Sequence, residues 1–287
     1  MPKIVLLPVD GSPACEQAFS TALAMGRGFD AHFMALHVRP DIRRDIAAMA
    51  AGDGGMAAGI DSMISRMETD AEEREKTARD TWSAFCAANA IVAADQPRPG
   101  GMTMEWVAET GAEADWLAAY GRAADLIVWG RGAESWGPDY PLMEAALMDT
   151  GKPVAIAPAG SVAASGGHVG IAWKDTREAA GAVRAAMPYI RAARHVTIFT
   201  VAEDGADDKS PLRLARMLRW HNPNVTVQPL PEHSRAPAEV LLDAATQAGC
   251  GLLAMGAYGH TRLREAVFGG FTRAVLQSAP LAVLMVH

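Results

Sequence analysis

The residues of this chain best suited to chemistry are glycines. Gly256-Ala257-Tyr258-Gly259-His260 follows an apolar run, Gly251 to Met255. Nine residues then separate Gly259 from Gly269-Gly270-Phe271-Thr272, which opens a helical pattern running towards Ser278. Glycine lets backbone amides come close to a phosphate. A helix start presents unpaired N–H groups and a positive dipole end to an anion, and Thr272 adds a hydroxyl near those amides. In open α/β sheets, ligands bind beyond the carboxyl ends of the strands, where such a loop would lie. Two glycine anchors flanking nine residues can close over a triphosphate. His260, inside the loop, is either a donor to phosphate or a solvent-facing side chain.

Other constellations carry less. His32 and His37 sit in an apolar run and read as structural; His195, His221, His233 and His287 are scattered without metal-ligand spacing, so no metal is expected. There is no Gly-x-Ser-x-Gly elbow and no carboxylate pair for a metal. No general base or nucleophile stands beside the glycine loop, so no catalytic residue is assigned, and binding or very slow hydrolysis is expected rather than efficient catalysis. Gly130-Arg131-Gly132 supplies two dinucleotide-type glycines but lacks the third. Trp129, Trp136 and Trp173 fit either a pocket or the core. Arg213, Arg216 and Arg219 recur every three residues, as on a solvated helix face.

Bulk properties narrow the class. The net charge is −7 and no dense basic block exists, which argues against nucleic acid or an anionic membrane surface as partner. No apolar stretch approaches the ~20 residues of a membrane span, and the first residues lack the order of a signal peptide. Cys15, Cys86 and Cys250 lie far apart and form neither a disulfide framework nor a metal set. A cytoplasmic protein is the expectation.

The elements that would position the loop come twice. Lys3 to Val9 and His168 to Trp173 are short apolar runs, each followed by an Ala-rich helical pattern, Pro13 to Gly28 and Arg177 to Ile190. Second strands follow at Ala31 to Val38 and His195 to Val201. Ala124 to Gly130 matches Cys250 to Gly256, and Lys152 to Ile156 matches Ala279 to Val283. Repetition over this distance signals a duplicated domain, since solenoid repeats are shorter. Near-continuous apolar strands alternating with helices indicate parallel sheets covered on both faces. The expected fold class is α/β: two tandem open parallel-sheet α/β/α domains of five strands each, at 1–158 and 167–287, joined by a small flexible stretch. Pro40 to Arg66 has no counterpart in the second half. It reads as a surface insertion, or alternatively as a lid or partner-binding flap whose Met residues offer an adaptable apolar surface. A long helix is expected after it, over Met67 to Asn89.

These residues together resemble the universal stress protein family, over essentially the whole chain, once per half. The family's nucleotide-binding members carry Gly-x-x-Gly, nine residues, then Gly-Ser/Thr; here stand Gly256, Gly259, Gly269 and then Gly270 where the family has Ser or Thr. Val9-Asp10-Gly11-Ser12 and Pro280-Leu281-Ala282-Val283-Leu284 are also family-like. The resemblance implies a Rossmann-like fold of the adenine-nucleotide alpha-hydrolase type and a stress-response protein binding ATP or another adenine nucleotide. By position, Met255 and Gly256 would line the ribose and phosphate side. Gly259, Gly269, Gly270, Phe271 and Thr272 would contact phosphate, and Val201 would lie near adenine. The first-strand position usually held by Asp is Lys174, which would pair with a phosphate or with a carboxylate such as Asp175. The first half keeps Asp10 but has Leu142-Met143-Glu144-Ala145 in place of the glycine pair, with Glu134 and Asp139 nearby. It is not expected to bind ATP in the family manner. The alternative is an interaction protein of the same fold that binds no nucleotide, or another small ligand. Family domains usually pair through their last strands; Val154 to Ala157 and Leu281 to Val286 could make that pairing internally, giving a pseudo-twofold monomer, with a homodimer as the other assembly.

Overall fold

A computed structural model describes residues 2–50, 60–96, 98, 100–131, 140–158, 167–201, 209–231, 236–257 and 270–287. In the first half these form β1 (Ile4–Pro8), α1 (Ala14–Gly26), β2 (His32–Arg39), α2 (Ile42–Ala50), α3 (Ile60–Ala88), β3 (Val92–Ala93), β4 (Thr103–Thr110), α4 (Glu113–Ala123), β5 (Leu126–Trp129), α5 (Tyr140–Asp149) and β6 (Val154–Ile156). The second half forms β7 (His168–Ala172), α6 (Arg177–Ala192), β8 (His195–Val201), α7 (Ser210–Leu218), β9 (Val225–Leu230), α8 (Pro237–Gln247), β10 (Leu252–Gly256), α9 (Gly270–Ser278) and β11 (Ala282–Val286).

The strands make one sheet in the order β3-β4-β2-β1-β5-β6-β11-β10-β7-β8-β9. Neighbours are parallel except at the centre, where β6 and β11 run antiparallel with Val283 opposite Ile156, Leu284 opposite Ala155 and Met285 opposite Val154. The two halves therefore meet through their last strands within one chain, as the internal-pairing expectation required. Each half has its first strand flanked by its second and its fourth main strand, so the winding reverses beside β1 and beside β7.

Alternation along the strands sends side chains to opposite faces. Val5 and Leu7 of β1 pack with Phe19 of α1, Ala78 of α3 and Ile190 of α6; Leu6 packs in a second cluster with Leu117 of α4, Leu147 of α5, Leu241 of α8 and Val275 of α9. Helices cover both faces. That is why the strands read as unbroken apolar runs rather than as alternating ones.

The structure corrects the sequence reading in two places. The first half carries a sixth strand, the two-residue edge pair β3. The 40–66 stretch is not a plain loop: α2 lies within it, and α3 starts at Ile60, seven positions before Met67. Glu, Arg, Met and Ala dominate α3 and are good helix formers.

Candidate functional site: the carboxyl edge of the second half

The crevice in the second half is built at the carboxyl ends of β7 and β10, which are neighbours. After β7 the chain turns through Lys174, Asp175 and Thr176. Thr176 caps α6, its hydroxyl accepting from the Ala179 amide at 3.3 Å. Arg213 on α7 donates to Asp175 at 2.9 Å, and the Trp173 indole donates to the Ser210 hydroxyl at 3.0 Å. The start of α7 is thereby tied to the turn, next to the crevice.

Gly256 ends β10 directly against the first turn of α6. A β-carbon there would lie 2.6 Å from the Ala179 nitrogen and 2.7 Å from the Glu178 carbonyl carbon. The demand for glycine here is close backbone approach. Glu178 itself is buried, with Arg177 donating to its carboxylate at 2.5 Å. Burial pushes the Glu178 pKa up, but the hydrogen bonds from Arg177, its own amide and Thr176 outweigh this and hold it below the ordinary range. The positive end of α6 thus already carries an internal anion.

α9 opens at Gly270, where a β-carbon would meet nothing within 4 Å among the described residues. Phe271 is 39% exposed, while Thr272 is buried. Because α9 crosses from β10 to its parallel neighbour β11, its first amides lie at the same carboxyl edge as Gly256. Of the other residues assigned from sequence, Val201 closes β8 opposite Leu230. The Met255 side chain is packed in the core, so its backbone is what it can offer a ligand. Gly259, His260 and Gly269 lie outside the described residues.

The first half repeats the seating but not the site. Gly130 presses on α1, where a β-carbon would collide with the Ala14 carbonyl. Asp10 accepts from the Ser12 amide at 2.8 Å and from the Cys15 thiol at 3.1 Å. Burial raises the Asp10 pKa, but these bonds win and its carboxyl stays below the ordinary range, while burial and the Asp10 charge push the Cys15 thiol up to about 12. Leu142 to Ala145 lie inside α5. Above Asp10, α2 and α3 roof a cavity of about 740 Å³ whose wall includes Asp10, Asp70, Glu73 and Arg74 beside Ile42 and Met67. Three carboxylates against one guanidinium oppose a polyphosphate. Gly11 makes the roof possible: its φ is +86°, and a β-carbon would come within 2.9 Å of the Arg74 carbonyl oxygen.

Sequence reasoning missed both this roof and Glu178. An acidic residue in the second position of an Ala-rich helix was a signal for the latter; its contact with Gly256 spans residues far apart in the chain. His32 and His37 are structural, as expected: His32 bonds Thr103 and Glu105, and the His37 Nδ1 lies 2.7 Å from the Val9 carbonyl. Among the described residues, no group of three His, Cys, Asp or Glu could hold a metal ion, and no helix is long and apolar enough to cross a membrane.

Comparison with known proteins agrees with this architecture. Among solved structures, a universal stress protein from Archaeoglobus fulgidus superposes with a TM-score of 0.70 at 17% identity, covering 99% of this chain and 95% of that one. A functionally unknown protein from Pseudomonas aeruginosa superposes with a TM-score of 0.55 at 12% identity, covering 99% and 92%. At such identities the likeness is one of fold. No curated protein sequence matches. The model of the universal stress protein family matches residues 1–143 and 181–287. The chain belongs to the universal stress protein family.

Proposed function

We propose that the second half binds an adenine nucleotide, ATP in the first instance, and that the protein works by binding rather than by efficient catalysis, as a cytoplasmic stress-response protein. The observation that carries this reading is the combination of Gly256, seated on α6 with no room for a side chain, with a helix start at Gly270 where no described residue comes within 4 Å of a β-carbon. These are the two ends of the glycine loop, and they present backbone rather than side chain to a phosphate. Lys174 stands at the same edge beside β7, where Arg213 is held in an ion pair with Asp175. The acidic, roofed first-half cavity supports one nucleotide per chain rather than two.

Isothermal titration of the full chain with ATP tests the reading. Binding near one equivalent, abolished by Gly270→Asp, is expected. No described residue lies within 4 Å of a β-carbon on Gly270, so this variant places a carboxylate at the helix start without disturbing the described core.

A second reading, an interaction protein that holds no nucleotide, is favoured by Glu178, whose carboxylate already occupies the α6 terminus. Adenine absorbance released on denaturing the purified protein distinguishes the two.

A further inference from the structure

Arg131 is the side chain least at home in this fold. It follows Gly130 at the carboxyl end of β5 and is only 8% exposed. Its Nη1 reaches across the seam between the halves and donates to the Gln277 carbonyl, near the end of α9, at 3.3 Å. Its Nε and Nη2 are buried with no hydrogen-bond partner among the described residues. Burial alone draws its pKa down to about 10.

The identity of the two free atoms matters. Nε–H and Nη2–H lie along one edge of the guanidinium plane, the fork that grips two oxygens of one oxyanion side by side. The Gln277 contact uses the remaining nitrogen, so it fixes the plane and leaves both fork atoms buried and without a partner among the described residues. A charged group removed from water without a counter-charge is strongly disfavoured, and buried charges are ordinarily paired.

Glu144 of α5 shows no sign of supplying the counter-charge. Glu144 has its pKa raised, by burial and by Asp149, whereas a carboxylate beside a guanidinium would be lowered. Nor is the arrangement a by-product of the duplication. Gly130 and Gly256 seat alike on the first helix of their halves, yet the residue after Gly256 is Ala257, fully buried and uncharged. Trp129 and Gly130, next to Arg131, are half-buried, so solvent is about one side chain away.

We infer that Arg131 anchors a second subsite, at the seam between the halves, which takes a phosphate-class oxyanion on its Nε–Nη2 fork. The site is separate from the glycine loop and does not depend on the nucleotide reading. Its ligand is either free phosphate or the phosphate end of a larger molecule.

Thermal unfolding of the full chain in phosphate-free buffer tests this, with inorganic phosphate added in one arm and ATP in the other. The variants are Arg131→Gln, Arg131→Lys and Thr272→Val. Inorganic phosphate is expected to raise the melting temperature of the wild type by roughly 2–4 °C at saturation. Thr272→Val keeps that rise, because it alters the other site. Arg131→Gln loses the rise and, without phosphate, melts no lower than the wild type, because an unpaired buried charge is gone. Arg131→Lys also loses the rise, since an ammonium lacks the fork, and it carries the comparison if Arg131→Gln does not fold. A rise that needs Arg131 but appears with ATP alone assigns the subsite to a nucleotide's phosphate end. Equal rises in the wild type and both Arg131 variants, or no rise with either ligand, overturn the proposal.

Discussion

Gly256 and Glu178 are in backbone contact: a β-carbon on the glycine would stand 2.9 Å from the Glu178 Cβ and 2.7 Å from its carbonyl carbon. The strand that leads into the glycine loop is in this way locked to the helix that begins beside Lys174. Gly130 and Ala14 repeat the relationship in the first half. The paired glycines that mark the duplication in the sequence share one structural task, seating a strand end on the first helix of each half.

Gly256→Ala tests that contact. The obstructing atoms are backbone, which cannot swing aside, so the variant loses about 1–3 kcal/mol of stability. The loss reads as a lower urea midpoint with an unchanged slope. Gly270→Ala, whose β-carbon meets no described residue within 4 Å, changes stability by less than about 0.5 kcal/mol. Equal effects of the two substitutions would contradict the seating.

The first-half roof depends on Gly11. An alanine there meets both a left-handed backbone and the Arg74 carbonyl oxygen at 2.9 Å. Gly11→Ala is expected to cost about 1–3 kcal/mol and to speed amide exchange along α3 ahead of the sheet. Unchanged α3 protection would show that the helix does not rest on the turn.

Glu178 gives the second half an acid-sensitive contact. Its folded pKa lies below the ordinary value of 4.5, so its stabilising contribution is fully present above that value and is lost as pH falls through the lowered folded pKa. Glu178→Gln should therefore flatten the acid limb of the stability–pH curve below about pH 4.5. Parallel curves for the wild type and the variant would show that the Arg177 pair contributes nothing on folding.

The Arg213–Asp175 pair is expected to matter little for stability, since the side chains are 64% and 59% exposed. Arg213→Ala should change it by less than about 1 kcal/mol, with the difference fading as salt is raised. A larger, salt-insensitive loss would mean that α7 is held to the crevice chiefly through this pair.

The duplication and the alternation of parallel strands with helices were legible because local patterns carry them, whereas the pairing of the halves through their last strands was an expectation from the family resemblance. Apolar runs such as Ile4 to Leu7 and Leu252 to Met255 recur with helical stretches between them, and parallel strands leave few ways to connect. The end of β10 was legible through Gly256 and the start of α9 through Gly270. The rest depends on contacts between residues distant in sequence. Nothing near Gly11 announces that Arg74 will cover it, and nothing near Gly256 announces Glu178. A stretch containing Gly52-Asp53-Gly54-Gly55 reads as a surface insertion, yet the segments flanking it fold as α2 and α3. Arg131 read as part of a weak glycine motif, and its importance appears only once Gln277 is brought across the seam.

The central claim is that the carboxyl edge of the second half holds one adenine nucleotide between the end of β10 and the start of α9. Calorimetric titration of ATP into the wild type and into Gly270→Asp measures it most directly. One equivalent bound by the wild type is expected, with at least a tenfold loss of affinity in the variant, a difference of about 1.4 kcal/mol or more. No binding heat in the wild type, or undiminished binding in Gly270→Asp, would contradict it.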